Sequence, residues 1–220
     1  MQLTRLAALA AAALVTTTMA TAAGASPTHR AAPTQRIVVR PVTSSNHVAN
    51  GFTREDSNAH VSCSFNGGQG SVSTVTVDPG VFYCSPDVDY AIACWDSMLI
   101  HHVLCFQNAF RHKVVRFRGN APIHLDNPSH PFNALNLRLG NGEHCSARNG
   151  GAVGFQKHHP NWIATYFCSK GGDILWSPPH LAATQGTDRS TPRWHAWVGT
   201  ASGHLHQRAI DTAYFVGTRG

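Results

Sequence analysis

Histidine is the residue with the widest chemical scope in this chain, with 15 copies among 220 residues. His204 and His206 are two apart, so on a strand both imidazoles leave the same face, as two ligands of one metal must. His195, inside Trp194-His195-Ala196-Trp197 on the preceding apolar run, is placed to supply a third. His101, His102, His144, His158 and His159 offer a further set. No His-Glu-x-x-His spacing accompanies them. The metal or haem reading, on His195, His204 and His206, is therefore the competitor to the plainer one, solvated or partly buried imidazoles.

The second chemical candidate is thiol. Six cysteines allow fifteen pairings. Cys84, Cys105 and Cys168 each close an apolar tripeptide, and each follows another cysteine at a spacing that suits antiparallel strands. Sequential bridges are the expectation: Cys63 with Cys84, Cys94 with Cys105, Cys145 with Cys168. Without a Cys-x-x-Cys pair, zinc or thiol catalysis is the lesser alternative.

Hydrolytic machinery is harder to find. There is no Gly-x-Ser-x-Gly elbow, only Glu55 and Glu143 are glutamates, and Asp87 and Asp89 follow a proline in a turn-like setting. A secreted hydrolase of unknown class stays a second alternative. Binding features are stronger. Arg111, Lys113, Arg116 and Arg118 cluster on one apolar run, with Arg116 and Arg118 on the face opposite Phe117. Such a ridge suits an anionic glycan or lipid surface, and its ordinary counterpart is the polar face of a half-buried strand. The five tryptophans are expected mainly in the core.

The elements that must position these groups are short. Residues 1–25 have a positive start at Arg5, an apolar stretch over 6–15 and a small-x-small end at Ala23-Gly24-Ala25. That is the layout of a secretory signal, cleaved before Ser26, with Ala20-Thr21-Ala22 as the alternative. Its apolar stretch is half the length of a spanning helix, about 20 residues. Residues 26–60 are rich in Pro, Thr, Ser, Asn and charge and are expected to form a flexible N-terminal arm, with Ile37-Val38-Val39 as its one possible short strand. From 61 to 220, β-branched and aromatic runs alternate with Gly, Asn, Asp and Pro turns. These runs fall at 71–77, 81–83, 90–95, 101–106, 113–117, 134–139, 162–167, 173–176, 194–198 and 206–216. They predict an all-β sandwich or barrel of about ten short antiparallel strands, stapled by disulfides. Short helices fit only near 96–100 and 181–184.

Charge adds one functional expectation. The leader holds one basic and no acidic residue, so its loss lowers the formal charge from +6 to +5, and protonating every histidine would raise it to +20. Histidine titrates between about pH 5 and 8, so association with an anionic surface is expected to strengthen in mild acid.

Ser85-Pro86-Asp87-Val88-Asp89-Tyr90-Ala91-Ile92-Ala93-Cys94, followed by Val103-Leu104-Cys105, resembles a motif of small secreted actinobacterial proteins of unknown function. The stretch from Leu137 to Cys145 and on to Cys168, with Asp188 to Trp194 and Thr212 to Thr218, is similar to the C-terminal half of such proteins. The resemblance implies export and disulfides and carries no activity. Together these features predict a secreted or envelope-associated binding protein. No catalytic residue, cofactor, specific nucleic-acid partner or membrane-spanning segment is expected.

Overall fold

The computed structural model describes residues 31–64, 68–85, 91–125, 132–148 and 155–220. Residues 1–25, expected to be an export signal, and the Asp87/Asp89 pair lie outside the described residues. Thirteen strands account for most of the regular structure among them: β1 (Gln35–Thr43), β2 (Thr53–His60), β3 (Gln69–Gly70), β4 (Ala93–Asp96), β5 (His102–Phe106), β6 (Lys113–Arg118), β7 (His124–Leu125), β8 (Asn136–Leu139), β9 (His144–Ala147), β10 (Ile163–Cys168), β11 (Ile174–Ser177), β12 (His195–Gly199) and β13 (His206–Arg219). One 3₁₀ turn spans Pro179–Thr184, over the second of the two short segments expected to be helical.

The choice between sandwich and barrel falls to a barrel with added sheets. Strands β8 to β13 pair in sequence order, and β8 closes on β13 to complete a six-stranded barrel. Closure depends on the length of β13. Its first residues pair with β12, Ile210 to Tyr214 pair with β8, and Thr212 to Arg219 pair with β1. A register shift between Ile210 and Thr212 marks the change of partner. The barrel is filled by alternating residues, as a strand period of two requires: Leu137 and Leu139, Cys145 and Ala147, Tyr166, Leu175, Ala196 and Val198, Ile210, Ala213 and Phe215.

A four-stranded sheet in the order β2-β6-β5-β4 packs beside it. Its two faces feed different cores. Ala93, Trp95, Leu104, Phe106 and Val114 join the large core, whereas Cys94, Val103, Cys105, Val115 and Phe117 form a second one with Val61, Cys63, Phe82, Cys84 and Ala91.

All three sequential disulfides form, and no free cysteine remains. Each joins residues opposite one another at a non-hydrogen-bonded antiparallel position, where strands come closest. The backbone of Cys94 bonds Phe82 and so turns away from Cys105; the N–H of Cys168 goes to Asp173, away from Cys145. Ser62 and Ser85 exchange both bonds, which makes the next pair, Cys63 and Cys84, the close one. Three disulfides fit an oxidising, extracellular-type environment. No helix among the described residues is long and apolar enough to cross a membrane.

Three expectations need correction. Residues 35–43 and 53–60, read as part of a flexible arm, are strands: β1 lies parallel to β13 and β2 parallel to β6. Thr34 splices β1 in where β12 leaves β13, its hydroxyl donating to the Ile210 carbonyl and accepting from the Trp194 N–H. The run Ile37-Val38-Val39 marks the middle of β1, whereas β2 carries no such run and its partner lies far along the chain. The sheets are therefore not purely antiparallel. Residues 71–77 and 81–83 form only isolated bridges, Val72 with Phe82 and Thr76 with Val216, although β-branched residues fill them.

Candidate functional site

The hairpin joining β4 to β5 carries the most exposed run of large apolar side chains among the described residues. Met98, Leu99 and Ile100 are 67%, 45% and 77% exposed. Their turn is held by its neighbours. The Ser97 N–H donates to the Asp96 carboxylate, the Leu99 N–H to the Ser97 hydroxyl, and the His102 N–H to the Leu99 carbonyl. His101 takes a left-handed backbone (φ 62°) and its carbonyl accepts from the Gly119 N–H, tying the tip to the end of β6. The apolar residues are thus displayed on a fixed turn.

Titratable groups surround the tip. His101 Nδ1 lies 2.7 Å from the Asn120 side-chain carbonyl oxygen, and His102 Nδ1 lies 2.9 Å from the Ile100 carbonyl. Both partners are acceptors, so each Nδ1 is placed to donate. Arg118 stands opposite His102 in the β5–β6 register, and its side chain is exposed.

Half of the basic ridge expected around β6 is neutralised, because β2 lays two acids beside it. Glu55 pairs with Lys113, and Asp56 pairs with Arg116 at 2.7 Å and with Arg54 at 3.2 Å. Arg111 and Arg118 carry no ion pair among the described residues. They stand at opposite ends of the strand, so Arg118 belongs with the hairpin tip. Arg111 belongs to a groove of about 450 Å³ with Phe110, His144, Ser146 and Phe167, where the Phe110 and His144 rings stack at 3.9 Å.

The metal-site histidines do not converge. In the β12–β13 register Val198 faces His206 while His195 faces Ala209, three residues farther along, and His204 precedes β13. Among the described residues the one close group of metal-type ligand atoms is Cys84, Cys94 and Cys105, whose sulfurs are all in disulfides. His204 stacks instead on His158 at 4.9 Å, and His159 on Trp162 at 4.3 Å. The side-chain carbonyl of buried Gln156 fixes that loop by accepting from the His158 and His159 N–H groups.

Perturbed ionisation occurs elsewhere and has structural causes. Burial pushes the Tyr166 hydroxyl far up. It also lowers Arg189, whose guanidinium lies 4.5 Å from the centre of the Trp194 ring. Asp188 is held low first by the Ser190 N–H, then by the Ser190 hydroxyl, with His195 and His180 adding smaller attraction. The Ser190 hydroxyl therefore serves a carboxylate and not an imidazole, an arrangement unlike a nucleophile and its base.

A cavity of about 190 Å³ lies where residues before β4 meet the end of β9. Its wall combines Val72, Val75 and Ile92 with the polar residues Ser71, Thr74, Arg148 and Gln185. Two buried polar atoms there have no partner among the described residues, Arg148 Nη2 and Gln185 Oε1. Leaving such a group unpaired costs about 1–3 kcal/mol.

No family model, curated protein or solved structure matches the chain. Sequence reasoning singled out Arg118, His101 and His102 but missed Met98-Leu99-Ile100. The available signal was three consecutive apolar residues between Asp96-Ser97 and His101-His102, where a polar turn is the rule.

Proposed function

We propose that the protein is an exported, non-catalytic binding domain that docks on an anionic lipid surface through the β4–β5 hairpin tip. The observation that carries this reading is the fixed, exposed run Met98-Leu99-Ile100 beside Arg118, His101 and His102. A large apolar side chain contributes about 1.5–3 kcal/mol when fully withdrawn from water. Each nearby cation adds about 1 kcal/mol at an anionic bilayer. One apolar tip or one arginine would bind weakly, and the two together support reversible attachment of the kind lipid-anchored proteins achieve with paired signals. Charged His101 and His102 would add two cations to the one at Arg118, which gives the acid dependence expected from the histidine content a location.

Vesicle co-sedimentation at matched ionic strength tests the reading. Binding is expected to vesicles containing phosphatidylglycerol, to exceed that to pure phosphatidylcholine, and to be stronger at pH 5.5 than at pH 7.5. Met98→Ser with Ile100→Ser is expected to weaken it at least tenfold. Equal binding to both vesicle types, or no effect of the double substitution, would overturn the reading. Retained binding to a soluble acidic polysaccharide, without vesicle binding, would point to a glycan partner.

A further inference from the structure

We infer that the groove between the 107–111 loop and strands β9 and β10 is a binding site for a small aromatic carboxylate. The site is separate from the hairpin tip, since Arg111 precedes β6 and Arg118 ends it. The loop is pinned to the outer face of the barrel. The Ala109 N–H donates to the side-chain carbonyl of buried Asn136, the Phe110 N–H to the Asn108 side chain, and the Arg111 N–H to the Asn108 backbone carbonyl. Phe110 stacks on His144 and meets the edge of Tyr214 at 5.1 Å. The groove beside these contacts has a volume of about 450 Å³, inside the range of small-molecule sites, about 300–1,000 Å³. A preformed site of this kind loses little to ordering when a ligand binds.

The ligand class follows from what the lining offers. Arg111 is exposed and carries no ion pair among the described residues, and no Asp or Glu lines the groove. Glu143, beside His144 in the chain, is buried, and its carboxylate accepts from the Lys170 N–H and the Asn141 side-chain amide instead. Three uncharged lining groups add donors. Asn108 Oδ1 is taken by the Phe110 N–H, which leaves its NH₂ to give. The Ser146 hydroxyl accepts from Asn136 Nδ2 and the Ser169 hydroxyl from the His144 N–H, so each keeps its own hydrogen. None of these hydrogens has an acceptor among the described residues. A carboxylate supplies what is missing: one negative charge for one guanidinium, which it can meet with both oxygens, and further lone pairs for the neutral donors. The rest of the lining is the ring pair Phe110 and Phe167, the second 38% exposed, with Gln107 and the disulfide-bonded Cys168 beside them. Such rings favour an aromatic body, which packs on them offset or edge-on.

Benzoate is the probe, followed by NMR of the full folded domain with calorimetry for affinity. Saturable binding at millimolar concentration is expected, with Asn108, Arg111 and Ser169 among the cross-peaks that move. Benzamide lacks the charge and acetate lacks the ring, and each is expected to bind at least tenfold more weakly. Arg111→Gln, at an exposed position, is expected to keep the unfolding temperature of the parent and to weaken benzoate at least tenfold. Phe167→Ala is expected to bring benzoate down to the level of acetate. The protein carrying Met98→Ser with Ile100→Ser is expected to bind benzoate as the parent does, which keeps this test distinct from the vesicle assay. Weaker binding by that protein would place the ligand at the hairpin tip and overturn the assignment. Failure of benzoate to saturate at millimolar concentration, or undiminished affinity in Arg111→Gln, would also overturn it. Glucuronate or phenyl phosphate binding more tightly than benzoate would overturn the ligand class.

Discussion

Among the described residues the large core contains 24 buried side chains, of which Cys145 is the one cysteine, whereas the second core contains ten, four of them cysteines. The large core lies inside the barrel and under the inner face of β4, β5 and β6. The second lies on the outer face of the same three strands, which therefore belong to both. A barrel has no free edges and fills itself with alternating side chains. The four-stranded sheet ends in β2, a polar edge strand with little side chain to bury. Where apolar volume is short, two adjacent disulfides replace it, their sulfurs at Cys84, Cys94 and Cys105 within 4.8 Å of one another. The hairpin tip projects from this cross-linked sheet, so the proposed docking element stands on the part of the molecule least able to hold itself by packing.

The largest effect should come from the side chain that both regions need. Phe106 is fully buried in the large core, is carried by β5, and meets the edge of Phe52 at 5.6 Å between ring centroids. Phe106→Ala is expected to cost about 3–5 kcal/mol and to lower the stability of barrel and sheet together, measured by denaturant unfolding followed at probes in each. Loss confined to the sheet would separate the two regions more completely than their shared core implies. Next comes Cys63→Ser with Cys84→Ser, expected to cost about 3 kcal/mol. Amide exchange should locate that loss: the amides of β5 and β6 lose protection first, and those of β11 and β12 keep theirs. Simultaneous loss everywhere would make the molecule one cooperative unit.

Alkaline pH isolates the barrel. Tyr166 is fully buried and donates its hydroxyl to the Ala134 carbonyl, and its folded pKa lies well above the unfolded value of about 10. A raised pKa means that the folded state holds the proton longer. The stabilisation is complete below about pH 10 and is lost above it, by about 1.4 kcal/mol per pH unit until the folded group titrates. Tyr166→Phe is expected to cost about 1 kcal/mol at neutral pH through the lost hydrogen bond and to flatten the stability curve above pH 10. An unchanged alkaline slope would assign the loss to other groups.

What could be read from the sequence divides along the same line. The barrel strands were legible, because β10 to β13 bury one face and announce it by apolar and aromatic residues. The three disulfides were legible because antiparallel neighbours close in sequence put cysteines at regular spacings. β2 was not, because Thr53–His60 is held by a parallel partner some 60 residues away and by ion pairs, and neither leaves a pattern in the segment itself. The same gap hides the partners of the basic ridge, since Glu55 and Asp56 reach Lys113 and Arg116 only once β2 is paired with β6. Histidine spacing misled for a related reason. Two residues apart places His204 and His206 on one face only if both are in the strand, and β13 begins at His206.

The smallest expected effect tests whether those acids hold the sheet edge or only set its charge. Glu55 and Asp56 have half-exposed side chains, and surface ion pairs contribute about 0–1 kcal/mol each. Glu55→Gln with Asp56→Asn is therefore expected to leave unfolding within about 1 kcal/mol of the parent, since the β2 backbone ladder to β6 persists. Electrostatics should respond more: Lys113, Arg54 and Arg116 lose their counter-charges, and binding to phosphatidylglycerol vesicles at pH 7.5 should rise and become more salt-sensitive. Exposed β2 amides should keep the exchange rates they have in the parent. If β2 instead loses protection, the ion pairs are what fasten this edge, and the sheet depends on charge as well as on disulfides.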